Sequence, residues 1–317
     1  MTWVAWRQHR AELIAVAALL GVLGAILAVQ YWRMTGYARA IGLDSCLRSG
    51  GTCGDLQGLF SDRFGPALDM IAYLNLLPLA MGVFWGAPLV ARELEQGTQR
   101  LAWTQSVPRG RWLAAKLTVL AAGAVLAGAG ISVLLGWELK PVDAALGSVR
   151  MQPNWFDLQG VAPAGYAVFA FALGTAAGAL TRRTLVAMAS TAAGFFAVRL
   201  GLEGQRWRLL PPLRRVLPAD AGSPQRSGDW VLPSSGWIGP RGQLLSDRVL
   251  GSLCSNGHLV TRQLFARCMA GHGVRRLELY QPLSRFWTFQ LAELGAYLAL
   301  AAGLLAVTCW LVLRRAS

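Results

Sequence analysis

The residues best suited to chemistry or recognition form one polar stretch, RELEQGTQRLAWTQSVPR, from Arg92 to Arg109. It separates two apolar segments, Ala67–Val90 and Trp112–Trp137, where a short polar turn would be enough to join two helices. Its arginines and glutamates can form ion pairs with another protein, and Gly97 followed by Thr98 favours a turn. The stretch is therefore a candidate surface for a partner, and a solvated loop is the alternative interpretation.

A second group of polar residues falls inside segments that are otherwise apolar. Glu293 lies in the last apolar segment, and Gln290, three residues earlier, shares its helix face. A charge in a membrane helix is costly and marks a functional candidate. Glu293 could contact substrate or act in gating, pair with Arg199 in another segment, or be hydrated near the interface. Asn75 and Pro78 could bend the second apolar helix or serve ordinary helix packing.

The cysteines favour disulfides. Cys46 and Cys53 lie in one polar loop, Cys254 and Cys268 in a longer one, and Cys309 in the last apolar segment. An even number of thiols in loops that face an oxidising compartment, with one thiol in lipid, fits two disulfides and a free cysteine. Of the three possible connectivities we predict the local one, which joins Cys46 to Cys53 and Cys254 to Cys268.

A zinc site is the alternative for the second cysteine pair. His258 and His272 each follow one of these cysteines by four residues, so the set offers two thiolates and two imidazoles. Such a set can hold zinc tetrahedrally. The Cys-x3-His spacing is uncommon in zinc fingers, and an oxidising face favours the disulfide, so we predict no metal site.

No catalytic motif accompanies these residues. The sequence lacks G-x-S-x-G, H-E-x-x-H and the Walker A pattern G-x-x-x-x-G-K-[ST]. We therefore expect a chain that is not an enzyme and binds no cofactor itself. If ATP drives it, another chain hydrolyses the nucleotide.

The composition is that of a membrane protein, because 15% of the residues are charged, against about 25% in soluble domains. Segments of about 20 apolar residues can each cross a ~30 Å hydrocarbon layer as a helix. The sequence predicts an all-α membrane protein with six such helices: Glu12–Trp32, Ala67–Val90, Trp112–Trp137, Val161–Thr181, Leu185–Leu202 and Phe286–Leu313. Tryptophans at several of the predicted boundaries are typical of interfacial anchors.

The basic residues predict the orientation. Eleven lie in the pieces that six spans place on the side of the termini: Arg7, Arg10, Arg92, Arg100, Arg109, Arg111, Lys116, Arg182, Arg183, Arg314 and Arg315. The opposite loops 33–66 and 138–160 hold six basic residues, which six acidic ones offset. The positive-inside rule therefore predicts a multi-pass plasma-membrane protein with both termini cytoplasmic. Anionic lipid accounts for much of the net charge of +14, and no nucleic-acid partner is needed.

Four regions follow from these patterns. Residues 1–11 pair tryptophans with arginines at helical spacing, which favours an interfacial elbow helix on the membrane surface, and a simple flank of the first span is the alternative. Residues 12–202 hold the first five transmembrane helices with a cytoplasmic segment at 92–111. Residues 203–285 are rich in proline and glycine, which predicts an irregular, disulfide-tied extracellular domain with a short helix near 259–270. Residues 286–317 form the sixth helix and a cytoplasmic tail.

The polar stretch resembles the permease subunits of ATP-binding-cassette exporters of the type-2 class. In that family a cytoplasmic segment between the second and third spans carries R-E-x-x-x-G-T, then a leucine, a proline, a basic residue and a lysine. The matching residues here are Arg92, Glu93, Gly97, Thr98, Leu101, Pro108, Arg109 and Lys116. The large insertion before the last span departs from the simplest members and resembles a subgroup common in high-GC actinobacteria.

The resemblance implies partners. Two ATPase subunits, which carry ATP and magnesium, would dock on the segment of two permease copies, with Glu95 and its charged neighbours as contacts. Closure of the ATPases would then tilt the spans. The expected function is export of a hydrophobic or amphiphilic solute, such as a drug, a peptide or a lipid-like molecule. A membrane sensor with a ligand-binding outer domain is the alternative, and a membrane-embedded enzyme is a more distant one.

Overall fold

The computed structural model describes residues 2–50, 53–96, 109–221, 228–254 and 262–315. Long helices dominate, and a small β-sheet lies between the fifth span and the last helix. In chain order the described helices are α1 (Thr2–Ala40), α2 (Leu43–Arg48), α3 (Gly54–Ile71), α4 (Leu77–Met81), α5 (Ala87–Gln96), α6 (Arg109–Glu138), α7 (Lys140–Leu146), α8 (Pro153–Phe156), α9 (Ala162–Thr181), α10 (Thr184–Gln205), α11 (Asp247–Cys254), α12 (Arg262–Gly271) and α13 (Phe286–Arg315). The strands are β1 (Leu213–Pro218), β2 (Trp230–Val231), β3 (Gly236–Ile238), β4 (Leu244–Leu245) and β5 (Arg275–Gln281).

Six stretches of the described residues are long and apolar enough to cross a bilayer, which confirms the predicted number of spans. They are Ile14–Ala40, Gly54–Gln96, Leu113–Glu138, Ala162–Thr181, Thr184–Arg208 and Leu283–Arg314. The second holds 43 residues, about 65 Å at the rise of an α-helix. It therefore extends well beyond a ~30 Å hydrocarbon layer.

The first helix differs from its prediction. Residues 2–11, expected as a separate interfacial helix, are the beginning of α1, which runs unbroken to Ala40. The predicted loop 33–66 is also mostly helical, since it holds the end of α1, all of α2 and the start of α3. The sequence has no proline before Pro66, so nothing in it forces α1 to end at residue 11.

The second span changes its helical geometry twice, and one change lies where the sequence predicted a bend. A 3₁₀ turn covers Ala72–Leu76, and Pro78 stands in the first turn of α4, where its missing N–H leaves no bond unmade. A π-helical turn follows at Gly82–Gly86 before α5 begins. Nδ2 of Asn75 donates to the carbonyl of Asn154 at 3.2 Å, so a side chain from this turn contacts the segment before the fourth span.

The fourth span lies at the centre of the bundle. In its most apolar window 72% of the residues are buried, more than in the other five spans. Glycines let it approach the second span closely: a Cβ on Gly174 would lie 2.6 Å from the backbone nitrogen of Ala87, and one on Gly178 would lie 2.6 Å from the carbonyl oxygen of Ala87. Small residues at such crossings bring backbones into contact, so the two spans form one packed unit.

The segment predicted to be irregular contains an antiparallel sheet. Within the described residues β5 is its central strand, which pairs with β1, β2 and β3, while β4 pairs with β3. Glu278 in β5 is buried and forms ion pairs with Arg215, at 2.7 Å, and Arg276, at 2.8 Å. The prolines and glycines of this segment leave short strands with turns between them, but cross-strand pairing still builds a sheet.

Both predicted disulfides are present. Cys46 in α2 is bonded to Cys53, the residue before α3. Cys254 at the end of α11 is bonded to Cys268 in α12. The second bond ties two helices that pack beside the sheet, where Leu250 and Met269 are buried. The region predicted as a short helix near 259–270 contains α12, and its first residues lie outside the described part of the chain.

Candidate functional site

Polar side chains gather at two opposite ends of the helix bundle. We call the end that holds Arg92, Arg111, Arg182 and Arg183 the basic end, and the end that carries β1–β5 the sheet end. The fifth span reaches from one to the other, because α10 begins at Thr184 beside the basic end and the 3₁₀ turn that follows it, Arg206–Arg208, leads towards the sheet. Acidic side chains from other parts of the chain bind both ends of this span.

At the basic end, two glutamates of α5 bind neighbouring spans. Glu93 forms an ion pair with Lys116 of the third span, and the two side chains are only 19% and 5% exposed. Oε2 of Glu95 accepts hydrogen bonds from the backbone N–H of Thr184, at 3.0 Å, and from its hydroxyl, at 2.7 Å. The end of the second span is thus joined to the third span and to the fifth.

These contacts change how the predicted coupling residues are interpreted. Glu93 and Glu95 were predicted to contact a partner, and both carboxylates also bind within the chain. Glu95 is still exposed, so its contact with a partner stays a prediction. Arg92 is exposed, and Arg109 is the first residue of α6. The remaining predicted coupling residues lie outside the described residues: Gly97, Thr98, Leu101 and Pro108.

At the sheet end, four charged side chains and a tyrosine form what we call the buried ion cluster. It joins the segment after α8 to the fourth, fifth and sixth spans. Its members are 1% to 7% exposed: Asp157, Tyr166, Arg199, Arg206 and Glu293. Two arginines face two carboxylates, so the charges balance, as burial in a membrane protein requires.

Arg206 is the centre of the buried ion cluster. Its Nη2 donates to Oδ1 of Asp157 and its Nε to Oε1 of Glu293. Arg199 binds the other oxygen of Asp157, with 2.7 Å between Nη2 and Oδ2. The hydroxyl of Tyr166 donates to Oε2 of Glu293 and lies 3.2 Å from Oδ1 of Asp157. Asp157 therefore has three partners and Glu293 has two.

Aromatic rings complete the surroundings of the arginines. The guanidinium of Arg199 lies 3.9 Å from the ring centroid of Tyr166, and that of Arg206 lies 4.5 Å from the ring centroid of Phe156. Such stacking suits arginine, whose planar and weakly hydrated head tolerates burial. One donor of the cluster, Nη1 of Arg199, has no hydrogen-bond partner among the described residues.

Gln290 lies one helical turn before Glu293 and binds backbone groups. Its Oε1 accepts from the N–H groups of Val161, at 3.0 Å, and Ala162, at 2.8 Å, while its Nε2 donates to the carbonyl of Phe156 at 2.9 Å. The side chain therefore satisfies N–H groups at the start of α9, which have no partner within that helix. Gln290 thus joins the sixth span to the fourth.

The sequence predicted part of this arrangement. Gln290, Glu293 and Arg199 meet in one region. The arginine that binds Glu293 is Arg206, whereas Arg199 was the partner named among the alternatives. The sequence did not indicate Asp157 and Arg206, because both lie at the ends of short elements. They fall outside the predicted apolar spans, and a charged residue is unusual only within such a span. Asn75 lies elsewhere and binds Asn154.

The zinc alternative has only part of its ligand set here. Sγ of Cys254, Sγ of Cys268 and a ring nitrogen of His272 lie within 4.8 Å of one another. The two sulfurs form a disulfide, so neither is a thiolate that could bind zinc. The fourth predicted ligand, His258, lies outside the described residues.

Six apolar helices define a multi-pass membrane protein. Residues 17–206 match the family model described as ABC-2 membrane transporter related, and because the match covers more than half of the 317 residues, the chain belongs to that family. It is a permease subunit of a transporter, of a family that generally works with ATP-binding-cassette ATPase partners in a membrane. No curated protein and no solved structure gave a match.

Proposed function

We propose that this chain is the permease subunit of an ATP-driven exporter, which moves a hydrophobic or amphiphilic solute out of the cell. The observation that carries the proposal is the family match over five of the six spans. A separate ATPase chain binds ATP with magnesium and hydrolyses the nucleotide. This chain binds neither. Two permease copies and two ATPase chains form the working assembly.

The proposed orientation puts the basic end in the cytoplasm and the sheet end outside. The positive-inside rule supports it, because Arg92, Arg111, Arg182 and Arg183, which mark the basic end, are among the eleven basic residues predicted to lie inside. The disulfides support it independently. Both Cys46–Cys53 and Cys254–Cys268 lie at the sheet end, and disulfides persist in oxidising compartments.

The contacts at the basic end suggest how an ATPase acts on the spans. An ATPase bound to residues 92–111 would move the end of α5 as it closes. Glu93 would carry this movement to the third span through Lys116, and Glu95 would carry it to the fifth span through Thr184. The close packing of the second and fourth spans makes them move together. Switching by rigid helix movement of this kind is common in allosteric proteins.

The buried ion cluster supports a mechanical role for the opposite end. Arg199 and Arg206 hold the end of the fifth span to Asp157 and Glu293. A push on Thr184 therefore acts on a span whose far end is fixed to the sixth span. We propose that the cluster keeps the sheet end closed until the fifth span moves.

Co-purification tests the proposal. The tagged permease, extracted from the membranes of its own host, is expected to bring with it an ATP-binding-cassette ATPase that hydrolyses ATP. Reversal of the exposed charge in Arg92→Glu should lower the recovered ATPase about tenfold, as like charges meet at a contact. Arg10→Glu is the control, since Arg10 is also exposed and basic but lies outside 92–111.

Two results would contradict this function. One is recovery of a signalling protein in place of an ATPase, which would favour a sensor. The other is equal loss of ATPase in both variants, which would show an unspecific effect of charge and remove the role of residues 92–111.

A further inference from the structure

A groove of about 310 Å³ opens at the sheet end between α1 and α3. Four of its residues recur along one face of α1 at spacings of three or four: Arg33, Gly36, Tyr37 and Ala40. Trp32 and, from α3, Arg63 and Phe64 complete the lining. The groove is separate from the buried ion cluster, and none of the contacts described above involves it.

The groove is positively charged. Arg33 and Arg63 approach it from two different helices, and neither forms an ion pair among the described residues. The acidic neighbour of Arg63 in sequence, Asp62, is not part of the lining. Because Arg33 and Arg63 line the same groove and no ion pair neutralises either among the described residues, an anion held between them would be stabilised. Arginine binds phosphate with parallel hydrogen bonds, which makes a phosphate group the best-suited anion.

The position of the groove relative to the membrane identifies the kind of molecule. The first span begins at Ile14, and 18 residues of helix, about 27 Å, separate it from Trp32. That length matches the ~30 Å hydrocarbon layer, so Trp32 and Arg33 stand at headgroup level. Trp32 is 70% exposed, as expected of an interfacial anchor.

An apolar stripe runs from the groove towards the middle of the membrane. Val22, Ile26 and Val29 precede Arg33 at intervals of four, three and four residues, so all share one helix face. The three apolar side chains are 57% to 59% exposed. A molecule with its head between the arginines would therefore have an acyl chain against this stripe.

We propose that this groove, with the stripe below it, binds a phospholipid with an anionic phosphate headgroup. Arg33 and Arg63 bind the phosphate, Gly36 leaves room for the headgroup, and the stripe holds one acyl chain. The site takes its ligand from the bilayer. It belongs to the permease itself and needs neither ATP nor an ATPase, so it stands independently of the proposed export function.

Native mass spectrometry of the purified full chain with phosphatidylglycerol tests the site. The unsubstituted chain should retain phosphatidylglycerol more tightly than phosphatidylcholine, which has no net charge. Arg33→Gln with Arg63→Gln should weaken phosphatidylglycerol binding at least about tenfold, since two charged hydrogen-bonding groups are lost. Arg39→Gln is the matched control, because Arg39 is an exposed arginine of the same helix outside the groove.

A second variant fills the groove and keeps both charges. A Cβ on Gly36 meets no atom within 4 Å, and the same is true of Gly21 lower in α1. Gly36→Leu should therefore fold normally and still lose the lipid, while Gly21→Leu should bind as the unsubstituted chain does. Thermal unfolding of all variants identifies any that fail to fold.

Three outcomes would overturn the proposal. If the arginine pair and Gly36 can be replaced with no loss of lipid, the groove is not the site. If glycerol 1-phosphate binds as tightly as phosphatidylglycerol, the stripe contributes nothing and the ligand is a soluble phosphate. If Gly36→Leu separates two copies of the chain without affecting lipid, the face is covered by a second copy.

Discussion

Glu95 and Thr184 join the second span to the fifth across 89 residues of sequence. Thr184 is the first residue of α10, whose first N–H groups have no partner within the helix. Oε2 of Glu95 accepts from one of them at 3.0 Å and from the hydroxyl at 2.7 Å. The carboxylate also faces the positive end of the helix dipole. One residue of the polar stretch is thus the cap of another span.

Loss of this cap should separate ATPase binding from transport. In Glu95→Ala the backbone N–H and the hydroxyl of Thr184 lose their acceptor, so the N-terminus of α10 is held less firmly to α5. Thr184→Val removes the hydroxyl and keeps the backbone bond, so its effect should be smaller. We expect both variants to recover the ATPase normally and to show transport several-fold lower, because the push no longer reaches the fifth span.

Thr181→Val is the control for these variants. Its hydroxyl binds the carbonyl of Ala177 in its own helix, at 2.9 Å, and that of Arg183 in the following turn, at 3.3 Å. Neither bond involves the second span, so no link between the second and fifth spans is lost. Transport in reconstituted vesicles, with ATP hydrolysis measured in parallel, gives the comparison. Equal transport in Glu95→Ala and Thr181→Val would show that the Glu95 link carries no movement.

Reversal of Glu93 should damage the permease itself. An arginine at this position would face the ammonium group of Lys116, which is 5% exposed. Breaking a buried ion pair costs on the order of 3 kcal/mol because the remaining charge is left unpaired. Glu93→Arg should therefore unfold at a lower temperature even without an ATPase.

The exchanged pair, Glu93→Lys with Lys116→Glu, should recover much of the lost stability. A double-mutant cycle of thermal unfolding for the two single variants and the pair measures the interaction. Additive losses would mean that the two side chains do not interact, and that Glu93 acts only through a partner protein.

The spans were predictable because a long run of apolar residues is a local and strong sequence pattern. A run of 21 mostly apolar residues such as Val161–Thr181 can be assigned to a membrane helix without knowledge of the fold. The local disulfides were predictable for the same reason, since each joins cysteines close in sequence. The sheet was not, because β5 pairs with residues that lie up to 67 positions earlier, as Tyr280 does with Leu213. Pairing over such a distance leaves no local pattern.

The buried ion cluster shows the same limit at the level of side chains. Glu293 is conspicuous because it interrupts a long apolar segment. Arg206 follows α10 directly, in the sequence RWR, and basic residues at the end of a span are usually interfacial. Only the packing of the fifth span beside the sixth brings Arg206 to Glu293. The sequence therefore indicated Glu293, which lies within a span, but not its partner Arg206, which lies at the end of one.

Replacement of Arg206 should destabilise the sheet end. Arg206→Gln leaves Asp157 with one arginine and Glu293 with none, which costs about 3–5 kcal/mol for a buried pair. Arg208→Gln should have little effect, since Arg208 is exposed. Thermal unfolding of the detergent-purified chain tests this. Glu293→Gln added to Arg206→Gln removes the unpaired charge and should restore part of the loss, whereas no restoration would contradict the assigned pair.

Labelling of two introduced cysteines in intact cells, one in each variant, tests the proposed orientation. Gly236→Cys lies in β3, where the new Cβ is 3.7 Å from Leu244, and Gly110→Cys lies at the basic end, 3.8 Å from Leu313, so neither position is crowded. In a Cys309→Ser background the other cysteines are disulfide-bonded. A membrane-impermeant maleimide should label Gly236→Cys from outside, and Gly110→Cys only after permeabilisation, because the basic end faces the cytoplasm. The reverse pattern would invert the topology and place both disulfides in a reducing compartment, which would also remove the proposed site of ATPase binding.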